Sequence, residues 1–156
     1  MALAERVRHA DFLSRSMTAE QAAQHVAHGA TVGLSGFTGA GYPKALPQAI
    51  AAHAQSEHKA GRPYRINVWT GASTAPEVDG LLAAADAMAQ RLPFNSDAMA
   101  RKKINAGEID YIDMHLSHVA QHAWFGFLGR LDVAIIEIVG VTADGLLIPS
   151  TAVGNN

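Results

Sequence analysis

The chain has 156 residues, 49% hydrophobic and 17% charged, which is enough for one domain with a core of its own. A formal net charge of -2 and no long basic run speak against nucleic acid or an anionic membrane as the main partner; a small neutral or anionic ligand held by local donors fits better. The lack of cysteine excludes disulfides, thiolate metal sites and a cysteine nucleophile, and no apolar run approaches the roughly 18–20 residues of a spanning helix. The first residues also lack the apolar block of a secretory signal, so a cytoplasmic protein is expected.

Ala2 to Leu13 reads as a helix with sparse apolar marks, broken by Ser16 to Thr18. Thr18-Ala-Glu-Gln21 has the form of a capping box, predicting a second helix to about His28 with Gly29 as its left-handed stop. His25 and His28 are expected at its surface. The apolar run Ala30 to Leu34 reads as a buried strand.

Next comes Leu34-Ser-Gly-Phe-Thr-Gly-Ala-Gly-Tyr-Pro-Lys44, a glycine-rich loop leading into Ala-rich sequence. Strand, glycine loop and helix together form a unit suited to anions, because glycine turns freely and leaves backbone N–H groups uncovered. Gly36, Gly39 and Gly41 run G-x-x-G-x-G, which is not the dinucleotide order, and no acidic residue stands after the next strand to hold a ribose. Lys44 follows Tyr42-Pro43 and precedes Ala45, which is not a Walker loop. Spacing alone leaves two readings: an anion site, or glycines that serve the turn only.

A helix is predicted from about Pro43 to Glu57, with Pro47 near enough to its start to be tolerated. After the polar connection His58 to Pro63, Arg65 to Thr70 alternates and is rich in strand formers. A second loop of small residues follows, Thr70-Gly-Ala-Ser-Thr-Ala-Pro76. Ligands collect at the carboxyl ends of parallel strands, so two such loops suggest one shared pocket. Ser73 and Thr74 would either donate to an acyl or carboxylate oxygen or cap the helix that begins near Glu77.

Glu77 to Arg91 reads as a helix weakened at Gly80, and Leu92 to Asp97 as a loop capping a further helix through Ile104, stopped near Gly107. Tyr111 to Met114 is a candidate short strand. His115, His118 and His122 fall on one face of a predicted helix; such a face could bind zinc in principle, but catalytic zinc usually recruits a carboxylate or histidine with defined supporting hydrogen bonds, and no metal is assigned. Asp132 to Val141 is the strongest strand in the chain and is expected at the centre of the sheet. Asp144-Gly145 turns it into a hairpin with Leu146 to Pro149 that continues the sheet. Glu137, inside that apolar run, is expected either to pair with Lys or Arg or to point into the pocket.

Taken together and in order, Gly33 to Lys44, Thr70 to Thr74, Pro93 to Asp97 with Ile104 to Glu108, and Pro149 to Asn155 resemble the acetyl-CoA hydrolase/transferase family. This is the class I CoA-transferase group that includes succinyl-CoA:acetate and propionyl-CoA:succinate CoA-transferases. The resemblance implies an α/β fold, an open, mainly parallel sheet flanked by helices of the CoA-transferase type, with residues 1–156 an incomplete N-terminal domain. Acyl-CoA would lie between it and a related C-terminal half. There a glutamate attacks the thioester, and the resulting anhydride yields an enzyme–CoA thioester that a second, small carboxylate accepts.

The resemblance places that nucleophile in the C-terminal half, and none of Glu5, Glu20, Glu57, Glu77, Glu108 or Glu137 matches its motif, so no catalytic residue is assigned. The positions that match the family's substrate-binding wall are Thr38, Gly39, Ala40, Gly41 and Ser73, as donors and as room for a small acyl group. No cofactor beyond the acyl-CoA substrate is implied, and a homo-oligomer, a dimer by the family's habit, is expected. A sheet interrupted at Asn156 is expected to leave a strand edge and apolar surface open. The rival expectation is a non-catalytic ligand-sensing or assembly module of related fold, although no basic helix-turn-helix accompanies it.

Overall fold

The computed structural model describes residues 3–72 and 75–155. Strands β1 (Thr31–Leu34), β2 (Ile66–Thr70), β3 (Met88–Leu92), β4 (Asp110–Tyr111) and β5 (Val133–Ile135) form one sheet in the order β4-β3-β2-β1-β5, every pair parallel. The chain thus steps outward from β1 through β4 and then returns to the other side of β1. That reversal makes the carboxyl end of β1 the switch point, where an open α/β sheet has its natural crevice.

Helix α1 (Leu3–Arg6) and helix α2 (Ala10–Ser14) replace the single N-terminal helix expected. Val7 between them is extended and bridges Val141, while the Arg8 amide donates to the Val141 carbonyl, so tertiary pairing interrupts the helix. Helix α3 (Ala19–Ala23) has the capping box as read: the Gln21 amide donates to Thr18 Oγ1 and Gln21 Oε1 accepts from the Thr18 amide. It ends earlier than His28, whose Nδ1 accepts the Arg65 amide.

Helix α4 (Ala45–Lys59) lays Pro47, Ala49, Ile50, Ala51 and Ala54 against the sheet. Pro47 falls in its first turn, where the missing N–H removes no helical bond, and His58 and Lys59 sit at the favourable C-terminal end of the dipole. Val32, Leu34, Ile66, Val68 and Met88 of the strands meet α3 and α4 in the main core.

The predicted helix from Glu77 to Arg91 is corrected. A π-helical turn (Pro76–Gly80) and helix α5 (Leu81–Ala84) give way to β3. Asp86 stops the helix with φ 54°, its carboxylate held by Arg65 and Lys103, and Met88 and Leu92 are fully buried. Ala-rich sequence favours helix locally, and burial beside β2 overrides it. Helix α6 (Ala98–Asn105) starts where expected, with Asp97 accepting from the Met99 and Ala100 amides, and Gly107 follows with φ 73°. Helix α7 (Leu116–Trp124) covers the opposite face through Val119, against Trp69 and Leu92.

The strand expected at the centre from Asp132 to Val141 is also corrected. Its first part is β5, which pairs with β1 alone; its second part is β6 (Ile138–Val141), in a separate antiparallel hairpin with β7 (Leu147–Pro149). The break falls at Glu137, whose amide donates to Ser35 Oγ rather than to a strand. Among the described residues no strand lies along the outer edge of β5, and Trp124, Phe125, Phe127, Leu146 and Ile148 are exposed. No helix among them is long and apolar enough to cross a membrane.

Candidate functional site at the carboxyl ends of β1 and β2

The glycine loop leaves β1 at Ser35, which is fully buried and organises the exit. Its hydroxyl donates to the Gly41 carbonyl at 2.7 Å and accepts the Glu137 amide at 2.8 Å, joining the two ends of the loop to the chain leaving β5. Between them, Phe37 and Ala40 exchange amide-to-carbonyl bonds of 2.9 and 3.1 Å, a tight turn that presents Thr38 and Gly39 at its tip. Thr38 has φ 49°, a left-handed conformation that costs a β-branched residue about 1–3 kcal/mol. Ala72 in the second loop has φ 59°, and its carbonyl accepts the Thr38 amide at 3.0 Å. Two strained non-glycine residues, bonded to each other, hold the two loops together at the switch point.

The expected site residues therefore differ in what they have to offer. The amides of Thr38 and Ala40 are used inside the protein, whereas the Gly39 amide has no partner among the described residues and a Cβ there would meet open space. Gly41, with φ 70°, is packed so closely on the Ala152 backbone that no side chain fits. Gly71 and Gly154 are likewise in backbone contact, and the Gly36 amide donates to the Val153 carbonyl. Residues 150–155 thus wedge between the loops, and Asn155 Nδ2 donates to the Leu116 carbonyl at the start of α7. Ser73 and Thr74 lie outside the described residues.

Glu137 is paired, the first of the two alternatives. Lys44 Nζ lies 2.5 Å from its Oε2 and also donates to the Tyr42 carbonyl, and Ser150 Oγ donates to Oε1 at 2.7 Å. The hydrogen bonds from Lys44 and Ser150 hold its carboxyl below the usual range. Burial, with the Glu77 carboxylate nearby, pushes the Tyr42 phenol up.

Beside Ala72, at the ends of β2, β3 and β4, an open depression of 600 Å³ is lined by Pro93, Phe94, Asp113, Met114, His115 and Leu116. His115 caps α7, its Nδ1 accepting the Ser117 amide; His118 and His122 stack with ring centroids 6.1 Å apart. Among the described residues no group of three His, Asp or Glu side chains is arranged to hold a metal.

Sequence reading missed the support beneath the second loop. Arg91 and Asp79 are both fully buried, with Nε 2.6 Å from Oδ1. Both fell in the stretch read as one helix; an arginine inside an apolar parallel strand would have signalled a buried partner.

Comparison with known proteins agrees with this architecture. The chain is similar to propanoyl-CoA:succinate CoA transferase of Escherichia coli, 45% identical over 89% of this chain and 28% of that protein. It is similar as well to succinyl-CoA:acetate CoA-transferase of Clostridium kluyveri, 38% identical over 97% of this chain and 28% of the relative. Acetyl-CoA hydrolase of Saccharomyces cerevisiae is 35% identical over 99% of this chain and 30% of its own length. The chain therefore spans under a third of the curated relatives it matches. The fold is shared with the crystal structure of RipA from Yersinia pestis, at a TM-score of 0.55 and 17% identity over 78% of this chain and 28% of that one. The family described as the acetyl-CoA hydrolase/transferase N-terminal domain matches residues 1–156, and the chain belongs to it.

Proposed function

We propose that this chain forms the N-terminal wall of the active site of a cytoplasmic acyl-CoA:carboxylate CoA-transferase or acetyl-CoA hydrolase. The observation that carries the reading is the pair of loops at the switch point, bonded from Thr38 to Ala72, in a chain 45% identical to a propanoyl-CoA:succinate CoA transferase. Within the wall, Thr38, Gly39, Ala40, Gly41 and Ser73 bind substrate, in unequal roles. The Gly39 amide, without a partner among the described residues, and the Ser73 hydroxyl donate to the developing oxyanion, Thr38 and Ala40 hold the tip in shape, and Gly41 fixes the loop's return. The depression beside Ala72 has room for a small acyl group.

The nucleophile in this reading is a glutamate of a C-terminal half. Its carboxylate adds to the thioester carbonyl and expels CoA thiolate, giving an acyl-glutamyl anhydride. The thiolate then attacks the glutamyl carbonyl, releasing the first carboxylate and leaving a glutamyl-CoA thioester. A second carboxylate attacks this thioester and runs the sequence in reverse to a new acyl-CoA; in a hydrolase water attacks it instead, releasing CoA and restoring the glutamate. No cofactor beyond acyl-CoA is required, and the working enzyme is a homo-oligomer.

The test is CoA transfer from acetyl-CoA to succinate and from succinyl-CoA to acetate, by the 156-residue chain and by the chain extended with its downstream sequence. Activity in the extended form alone is expected. Activity in the short chain would place a nucleophile within it, and CoA binding without turnover by the extended form would favour the sensing module.

A further inference from the structure

We infer that the buried Arg91–Asp79 pair is a positioning device for the loop after β2, and through it for the tip of the glycine loop. The inference rests on reading those loops as part of the acyl-CoA site. Arg91 stands in β3 opposite Val68 of β2, and its guanidinium reaches along the strand ends. Nε and Nη2 donate to the two Asp79 oxygens at 2.6 and 3.5 Å, and Nη1 donates to Thr70 Oγ1 at 3.0 Å and to the Leu92 carbonyl. Asp79, in the π-helical turn, accepts the Ala75 amide on Oδ2 at 3.2 Å, while its own amide donates to the Ala75 carbonyl at 2.8 Å.

One ion pair therefore clamps Thr70, where the loop begins, and Ala75, where it ends. Between these anchors sits Ala72, held left-handed, with its carbonyl on the Thr38 amide. Neither ion is exposed, so neither touches substrate. Buried ion pairs are poor devices for stability alone, since apolar replacements of similar volume are often as stable. What a planar fork adds is direction: it binds several groups at fixed angles, which neither an ammonium nor an aliphatic chain reproduces.

The test uses Arg91→Lys, which keeps the charge and loses the fork, and the double variant Arg91→Met/Asp79→Asn, which leaves no unpaired ion and retains an acceptor for Ala75. Amide hydrogen exchange in the 156-residue chain is followed at Thr38, whose N–H reports the bond between the loops, and at Val32 and Val68 in the sheet. Exchange at Thr38 is expected to quicken by about tenfold or more in both variants, while the strand amides stay within about twofold. No change at Thr38, parallel quickening at all three positions, or loss of the folded state in both variants would overturn the inference and leave the pair an ordinary core support. In the extended enzyme the same variants are expected to lower kcat with KM for acyl-CoA nearly unchanged. Selective quickening at Thr38 with unaltered kcat would sustain the positioning role and refute the catalytic reading of the loops.

Discussion

Ser35→Ala removes one oxygen and strands two backbone groups. The Gly41 carbonyl loses its 2.7 Å donor and the Glu137 amide its 2.8 Å acceptor, at a residue with 0% exposure. A methyl group cannot serve either, and water has no route to a fully buried position. Leaving a buried donor or acceptor unsatisfied costs about 1–3 kcal/mol each, so the two together predict a loss of about 2–4 kcal/mol, the lower half of the range allowing for Glu137 being only partly buried. Against a total of roughly 5–15 kcal/mol for a domain, that is a large fraction. Urea unfolding of the 156-residue chain measures it, with Ser14→Ala as the control. The Ser14 hydroxyl bonds the Asp11 carbonyl in full exposure, so that change should stay within about 0.5 kcal/mol. An Ser35→Ala midpoint equal to wild type, at unchanged m-value, would refute the idea that this hydroxyl closes the glycine loop.

The loop's glycines should separate in the same assay: Gly41→Ala, driven into the Ala152 backbone at φ 70°, should cost more than about 2 kcal/mol, and Gly39→Ala less than about 0.5 kcal/mol. Equal effects would contradict the packing of residues 150–155 against the loop. Glu137 has a depressed pKa in the fold, so its contribution is present above the ordinary value of 4.5 and fades as pH falls through the depressed one. Lys44→Ala should move the Glu137 carboxyl back up in a carbon-detected NMR titration, at a cost under about 1 kcal/mol because Lys44 is half exposed; an unmoved titration would count against the pairing. Burial, and secondarily the Glu57 charge, push the Tyr64 phenol up to about 12, so the stability it confers holds below about 10 and is lost as pH climbs to that value. Tyr64→Phe should abolish this alkaline loss and, by stranding the Val26 carbonyl, cost about 1–2 kcal/mol at neutral pH; tyrosinate absorbance and unfolding curves together check both.

Local chemistry wrote several features directly into the sequence. The capping box at Thr18, the Asp97 cap, the buried run of β1 and the glycine loop after it depend on groups within a few residues of one another, and all stand where expected. The order of glycine, serine and threonine motifs along the chain was also sufficient to identify the family. The tertiary structure decided what depends on partners far along the chain. The segment from Asp132 to Val141 is apolar enough for a central strand, yet Ser35, a hundred residues earlier, takes the Glu137 amide and sends the chain into a separate hairpin. Met88 to Leu92 has the composition of a helix, and the open hydrogen-bonding edge of β2 makes it a strand. The site shows the same division: glycine spacing marked the loop, but which amide lacks a partner among the described residues, which glycine packs on the Ala152 backbone and which ion pair anchors the second loop follow from packing between segments, whose energies no local pattern encodes.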